Sequence, residues 1–435
     1  MLDNPFTYGN PISDPHRFVG RDREVEQIFG RLRNEEFESS SLVGDRRIGK
    51  TSLFNYLADP RVRAQHSLLP EQYVFVYADL QMVDETMGPV RLWHWLLKLM
   101  RQQCKDKGVA EFVAALEQDE RLDTFALDEL FEQVDDKGQH VVFLLDEFEH
   151  ITSNGNFGPD FYYGLRSLVI HHQLALVTSS RRELIELCHS EAIKSSPFFN
   201  IFANINLGLF SQADADRLIH QSLSRTEVQF SEREIKEVFD LAGLHPYFLQ
   251  AACWVLYESH RKDLDEQART RLLATQFDQE AAPHLADYWG NSDDYEKIVL
   301  TAAALLEQKT KPEREFSLTD LHALFAGSEP TVKHLEKRGL LIPVNGRYRL
   351  FSSTLSPWIL YQITAELSEQ QTFPEWWKEN QKAAERITGK QAEPLRRILP
   401  KIRTNYRQLI ITWASDPQTI GAVASLLNSA LSFAH

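Results

Sequence analysis

Ser39-Ser40-Ser41-Leu42-Val43 runs directly into Gly44-Asp45-Arg46-Arg47-Ile48-Gly49-Lys50-Thr51, and a helical pattern continues from Ser52 to Leu57. A strand-like run, a Gly-x-x-x-x-Gly-Lys-Thr turn and a helix, in that order, form the context in which this spacing cradles phosphate groups. Gly44 and Gly49 permit backbone conformations closed to other residues. Successive amides, including those of Arg47, Ile48 and Ser52, can then turn toward phosphate oxygens, and the helix N-terminus adds partial positive charge. Lys50 is the candidate for the β- and γ-phosphates, and the Thr51 hydroxyl is a candidate magnesium ligand.

Downstream, Val141-Val142-Phe143-Leu144-Leu145 is a short, wholly apolar run that ends in Asp146-Glu147. Such a run suits a strand buried on both faces, and carboxylates at its mouth are costly unless a cation or a reaction employs them. Asp146 is expected to hold magnesium and Glu147 to polarise an attacking water. Glu149 is expected to be a surface carboxylate. Leu174 to Thr178 repeats the buried pattern and ends in Ser179-Ser180-Arg181-Arg182, so the hydroxyls of Ser179 and Ser180 and the Arg181 guanidinium are expected to face a terminal phosphate.

Two further strands, Tyr73–Tyr77 and Asn204–Gly208, complete a sheet of about five with helices on both sides, an α/β fold. Ahead of it, residues 1–19 read as an extended Pro-, Asn- and Gly-rich arm. Arg21 then opens a helix and is placed to reach a nucleotide. Residues 20–210 form the expected nucleotide core and 211–292 a helical lid subdomain, broken at Gly243-Leu244-His245-Pro246. Residues 293–362 show three helices and a hairpin at Asn345-Gly346, a winged-helix pattern.

Phe18-Val-Gly-Arg21, the phosphate-loop motif, Leu144-Leu-Asp-Glu147, Thr178-Ser-Ser-Arg181 and Gly243-Leu-His-Pro246 together resemble the AAA+-like STAND family of signal-transduction NTPases, archaeal-type ATPase branch and bacterial relatives. The resemblance covers about residues 1 to 360. It implies a P-loop NTPase parallel sheet with a helical lid, ATP or ADP with Mg2+ as ligands, and low-turnover hydrolysis. It also implies nucleotide contact by Arg21, a sensor role for Arg181, and base or phosphate sensing by Pro246, with His245 beside it. The implied mechanism is an ADP-bound resting state that opens and oligomerises with ATP, controlling a protein effector or sensor partner in signalling or defence.

Composition restrains the alternatives. A net charge of −15 argues against broad nucleic-acid binding, and 43% apolar residues support substantial cores. Nine Lys and Arg balance nine Asp and Glu across residues 293–362, where a DNA reader carries a basic excess. Origin-recognition-like or transposition-associated DNA binding is therefore the alternative, through Lys333, Lys337, Arg338, Arg347 and Arg349 and through a basic amphipathic stretch in the helical tail, residues 363–435. Cys104, Cys188 and Cys253 are odd in number and far apart, which suits reduced thiols. With no apolar run of membrane-spanning length and no signal-like start, a cytoplasmic location without membrane association is expected.

Overall fold

The computed structural model describes residues 3–366 apart from 189, 195, 196, 311, 312 and 325–327. The basic stretch expected within 363–435 lies outside the described residues, and of that tail only the end of a helix at Leu355–Glu366 is described. The chain divides into two compact units, with the division between Glu227 and Val228.

In the first unit five strands, β1 (Ser39–Val43), β2 (Tyr73–Asp79), β3 (His140–Asp146), β4 (Leu174–Ser180) and β5 (Phe202–Asn206), form one parallel sheet in the order β2-β3-β4-β1-β5. The period-two alternation of a strand explains why uninterrupted apolar runs were needed. Val141, Phe143 and Leu145 of β3 join a core with helices Pro89–Gln103, Thr124–Asp136 and Pro159–His171, whereas Val142 and Leu144 face a second core with Asp22–Leu32 and Lys50–Ala58. Each face of the sheet is thus sealed by helices, and the polar strand ends are left as the place for chemistry.

Two boundaries differ from those expected. β5 spans Phe202–Asn206 rather than 204–208, because Ser39 pairs with Phe202 and Val43 with Asn206 along β1. Helix Gln212–Leu223, expected in the lid, packs with the first unit: Arg217 reaches Asp22 at 2.8 Å, and Gln221 donates to the His16 carbonyl at 2.7 Å.

The arm before the sheet lies on the phosphate-loop helix. The Ile12 amide donates to Ser52 Oγ at 3.0 Å, Asn55 Nδ2 donates to the Ile12 carbonyl at 3.1 Å, and Phe6 is fully buried.

In the second unit, helices Glu232–Ala242, Pro246–Arg261 and Glu266–Gly290 are followed by Asp294–Lys309, Leu318–Leu324 and Glu329–Lys337. An antiparallel hairpin of β6 (Leu341–Val344) and β7 (Arg347–Leu350) comes next. Its turn residues Asn345 and Gly346 both have positive φ, 49° and 79°, as a tight two-residue hairpin turn requires.

Candidate functional site

The carboxyl end of β4 joins the two motif-bearing strands. The Gly44 amide donates to the Ser180 carbonyl at 3.1 Å, tying down the loop after β1, and the Phe148 amide donates to the Ser179 carbonyl at 2.7 Å, tying down the segment after β3. β4 lies between β1 and β3 in the sheet, so Lys50 and Thr51 are brought to Asp146 and Glu147 although about a hundred residues separate them.

The loop is tight at Gly44. A Cβ there would stand 2.8 Å from the Leu207 carbonyl oxygen and 2.9 Å from Ile48 Cγ2. Gly49 takes φ 104° as the residue before helix Lys50–Ala58, and Arg47 takes φ 66°. Lys50 is 4% exposed; its ammonium donates to the Gly44 carbonyl at 2.9 Å and stands 3.8 Å from Glu147 Oε1.

Asp146 is 1% exposed and surrounded by hydroxyls. Ser179 Oγ donates to its Oδ1, Tyr77 hydroxyl donates to Oδ2 at 3.3 Å, and Thr51 also hydrogen-bonds the carboxyl. Burial pushes the Asp146 carboxyl up, against those bonds and the positive charge of Lys50. Glu147 has φ 57°, a left-handed conformation that is rare away from glycine and that recurs where structure holds a functional residue. Its amide donates to Ser179 Oγ at 3.0 Å.

Ser179 therefore holds both acidic residues, a role distinct from the phosphate contact expected of its hydroxyl, and Tyr77 is a site residue that no motif announces. The sequence placed two serines at a strand end, but only the register decides which one faces β3. Ser180 donates its hydroxyl to the Arg182 carbonyl at 2.6 Å and contributes its carbonyl to the loop.

Glu149 corrects the expectation of a surface carboxylate. It opens the short helix Glu149–Thr152 on the turn after β3, its side chain is 13% exposed, and burial followed by the charge of Glu147 raises its carboxyl to about 7. Arg181 pairs with it, Nε to Oε1 at 3.4 Å.

The remaining candidates are placed as follows. Arg21 is 7% exposed and takes φ 73° before its helix. Its guanidinium donates to the Ile48 carbonyl at 3.1 Å and the Gly208 carbonyl at 2.6 Å and lies 4.9 Å from the Phe210 ring centre. It braces the phosphate loop from behind. Arg47 donates to the Gly9 carbonyl of the arm at 2.9 Å, and Ser52 Oγ accepts from Ile12.

Pro246 lies in the second unit at the first position of helix Pro246–Arg261. His245 caps that helix, its Nδ1 accepting from the Tyr247 amide at 3.2 Å while Nε2 meets the Tyr288 hydroxyl at 2.6 Å. At 3% exposed, His245 is a core residue of its own unit.

Among the described residues no helix is long and apolar enough to cross a membrane, and no group of three or more His, Cys, Asp or Glu could hold a metal ion.

Solved structures share this fold. A Walker-type ATPase of Pyrococcus abyssi matches with a TM-score of 0.53 at 15% identity, over 81% of this chain and 99% of that one. The ORC2 protein of Aeropyrum pernix, in its ADPNP–ADP complexes, matches with a TM-score of 0.53 at 14% identity, over 84% of this chain and 98% of that one. At such identities the likeness speaks for the fold alone. No curated protein matches the chain. The family described as Novel STAND NTPase 2 matches residues 33–304, more than half of the sequence. With its parallel sheet and phosphate loop, the chain belongs to that family of P-loop NTPases.

Proposed function

We propose that the chain is an ATP-binding, slowly hydrolysing switch, in which nucleotide state governs conformation, self-assembly and the control of a protein partner in signalling or defence. The observation that carries the reading is the meeting of Lys50, Thr51, Asp146 and Glu147 at the ends of two strands clamped together by β4. Loop amides and Lys50 bind the phosphates. Thr51 and Asp146 offer oxygen donors only, and just two of them, which fits a hard cation that keeps most of its water. Magnesium held there would neutralise phosphate charge. Glu147 orients and deprotonates the attacking water, and Arg181 contacts the terminal phosphate.

The partners these groups have support low turnover. Lys50 and Glu147 stand 3.8 Å apart and Arg181 is paired with Glu149, so each must exchange a partner before the reaction.

The DNA-binding alternative is weakened by where the cations of residues 293–362 are spent, and we read this segment as a winged-helix packing module. Arg338 donates to Glu296 Oε1 at 2.8 Å and Ser292 Oγ at 3.0 Å with its side chain 7% exposed, and Arg347 donates to the Glu315 carbonyl at 2.9 Å. An arginine committed inside its segment, as Arg338 is, does not grip phosphates, whereas Arg347 keeps an exposed side chain.

Equilibrium binding, phosphate release and light scattering after size-exclusion chromatography, in ATP, ADP and no nucleotide, test the switch. Lys50→Ala is expected to lose nucleotide binding, and Glu147→Gln to bind while releasing phosphate about 100-fold more slowly, the usual scale of a general base. Assembly that ignores nucleotide, or equal phosphate release by Glu147→Gln and the parent, would refute it.

A further inference from the structure

Glu149 is a carboxylate of the site that the proposed reaction leaves without a task. Its two carboxylate oxygens are buried and neither accepts a hydrogen bond of normal geometry. Arg181 Nε stands 3.4 Å from Oε1, Glu147 both presses on the carboxyl with like charge and hydrogen-bonds it, and Lys50 attracts it more weakly than Glu147 repels it.

Arg181 thus faces two claims. In the reading above, its guanidinium turns to the terminal phosphate of a triphosphate. Leaving Glu149 to do so strips a desolvated carboxyl of its nearest arginine while Glu147 remains beside it, so the group must either stay charged without its partner or take up a proton, and either course costs free energy. A diphosphate makes no such claim on Arg181. The cost therefore falls on one nucleotide and not the other, which is the condition for shifting an equilibrium between them.

We infer that Glu149 competes with the terminal phosphate for Arg181 and thereby biases the site toward the nucleoside diphosphate. This rests on the phosphate-site reading and deepens it: Glu149 is a positioning residue that sets diphosphate-to-triphosphate preference, while the loop sets affinity for both. A side chain that merely supported the turn after β3 would lower both affinities together.

The test measures dissociation constants of fluorescent ADP and of a fluorescent, slowly hydrolysed ATP analogue on the full chain, for the parent, Glu149→Gln, Glu149→Asp, Arg181→Gln and the Glu149→Gln/Arg181→Gln double variant, with thermal melts as a check on folding. Glu149→Gln is expected to move the preference toward triphosphate about tenfold, equivalent to about 1.4 kcal/mol. Glu149→Asp, which keeps the charge, stays near the parent. In the Arg181→Gln background the effect of Glu149→Gln disappears, because the competed-for group is gone. Arg181→Gln alone weakens triphosphate more than diphosphate.

A folded Glu149→Gln protein with the parent's preference, a shift toward diphosphate, or an equal shift with and without Arg181 would overturn the inference while leaving the phosphate site intact. If Glu149→Gln fails to fold, equal loss of both nucleotides in Arg181→Gln overturns it. A parent that binds neither nucleotide overturns the phosphate-site reading and the inference together.

Discussion

Ser179 Oγ accepts a hydrogen bond from the Glu147 amide at 3.0 Å and donates its own to the Asp146 carboxylate, so one hydroxyl at the end of β4 sets the positions of two successive acids at the end of β3. Because Glu147 sits at φ 57°, its backbone needs such an external tie. Ser179→Ala leaves a buried amide without an acceptor, a loss of about 1–3 kcal/mol. Phosphate release is expected to fall at least tenfold while nucleotide affinity changes less, read by single-turnover kinetics beside equilibrium binding.

Arg21 links the helix before the sheet to the phosphate loop through the Ile48 carbonyl and to the segment after β5 through the Gly208 carbonyl. One nitrogen, Nη2, serves both carbonyls while the guanidinium carbon lies 4.9 Å from the Phe210 ring centre, and a lysine ammonium lacks the planar group that lies on that ring. Arg21→Lys and Arg21→Ala are both expected to lower the melting temperature and to weaken ATP and ADP alike. A loss confined to one nucleotide would mean that Arg21 touches the nucleotide itself.

Gly243 ends helix Glu232–Ala242 at φ 61°, and a Cβ there would meet the Phe351 carbonyl oxygen at 2.1 Å. Backbone against backbone cannot relax as a flexible side chain does. Gly243→Ala should destabilise the second unit by roughly 3 kcal/mol or more, within the range of severe backbone substitutions, as seen in denaturant unfolding.

His172 lies between Asp135, 2.8 Å from Nδ1, and Asp128, 2.9 Å from Nε2. Burial opposes its charge, but the two carboxylates outweigh burial and raise its pKa above the ordinary 6.5. A raised folded pKa stabilises fully below the unfolded value, and the gain is lost as pH rises through the folded value. His172→Gln should therefore lower the melting temperature more at pH 6 than at pH 9. A gap that widens with pH would contradict this.

Much of the fold was legible because its strands are buried on both faces. Val141–Leu145 and Leu174–Thr178 carry apolar residues at every position, and the structure extends each only slightly, to His140–Asp146 and Leu174–Ser180. β5 was displaced because its polar residues belong to an edge strand, where pairing with β1 rather than hydrophobic pattern sets the ends. At the site, the motifs single out Lys50, Thr51, Asp146 and Glu147, which the structure brings together, whereas the sequence suggests a surface position for Glu149. Its burial comes from the turn after β3 closing against β4, which no local pattern encodes.

The sequence by itself determined that this chain has a phosphate loop between a strand and a helix, an acid-ended buried strand, and the motif order of a P-loop NTPase. Those features are local: glycine spacing, apolar runs and the residues that end them. Only the tertiary structure decided that Ser179 rather than Ser180 holds the acids, that Arg21 braces the loop, and that Arg181 is paired with Glu149. Each of these depends on strand register and on which side chain meets which carbonyl across separations of 27 to 187 residues, contacts fixed by packing rather than by neighbours in the chain.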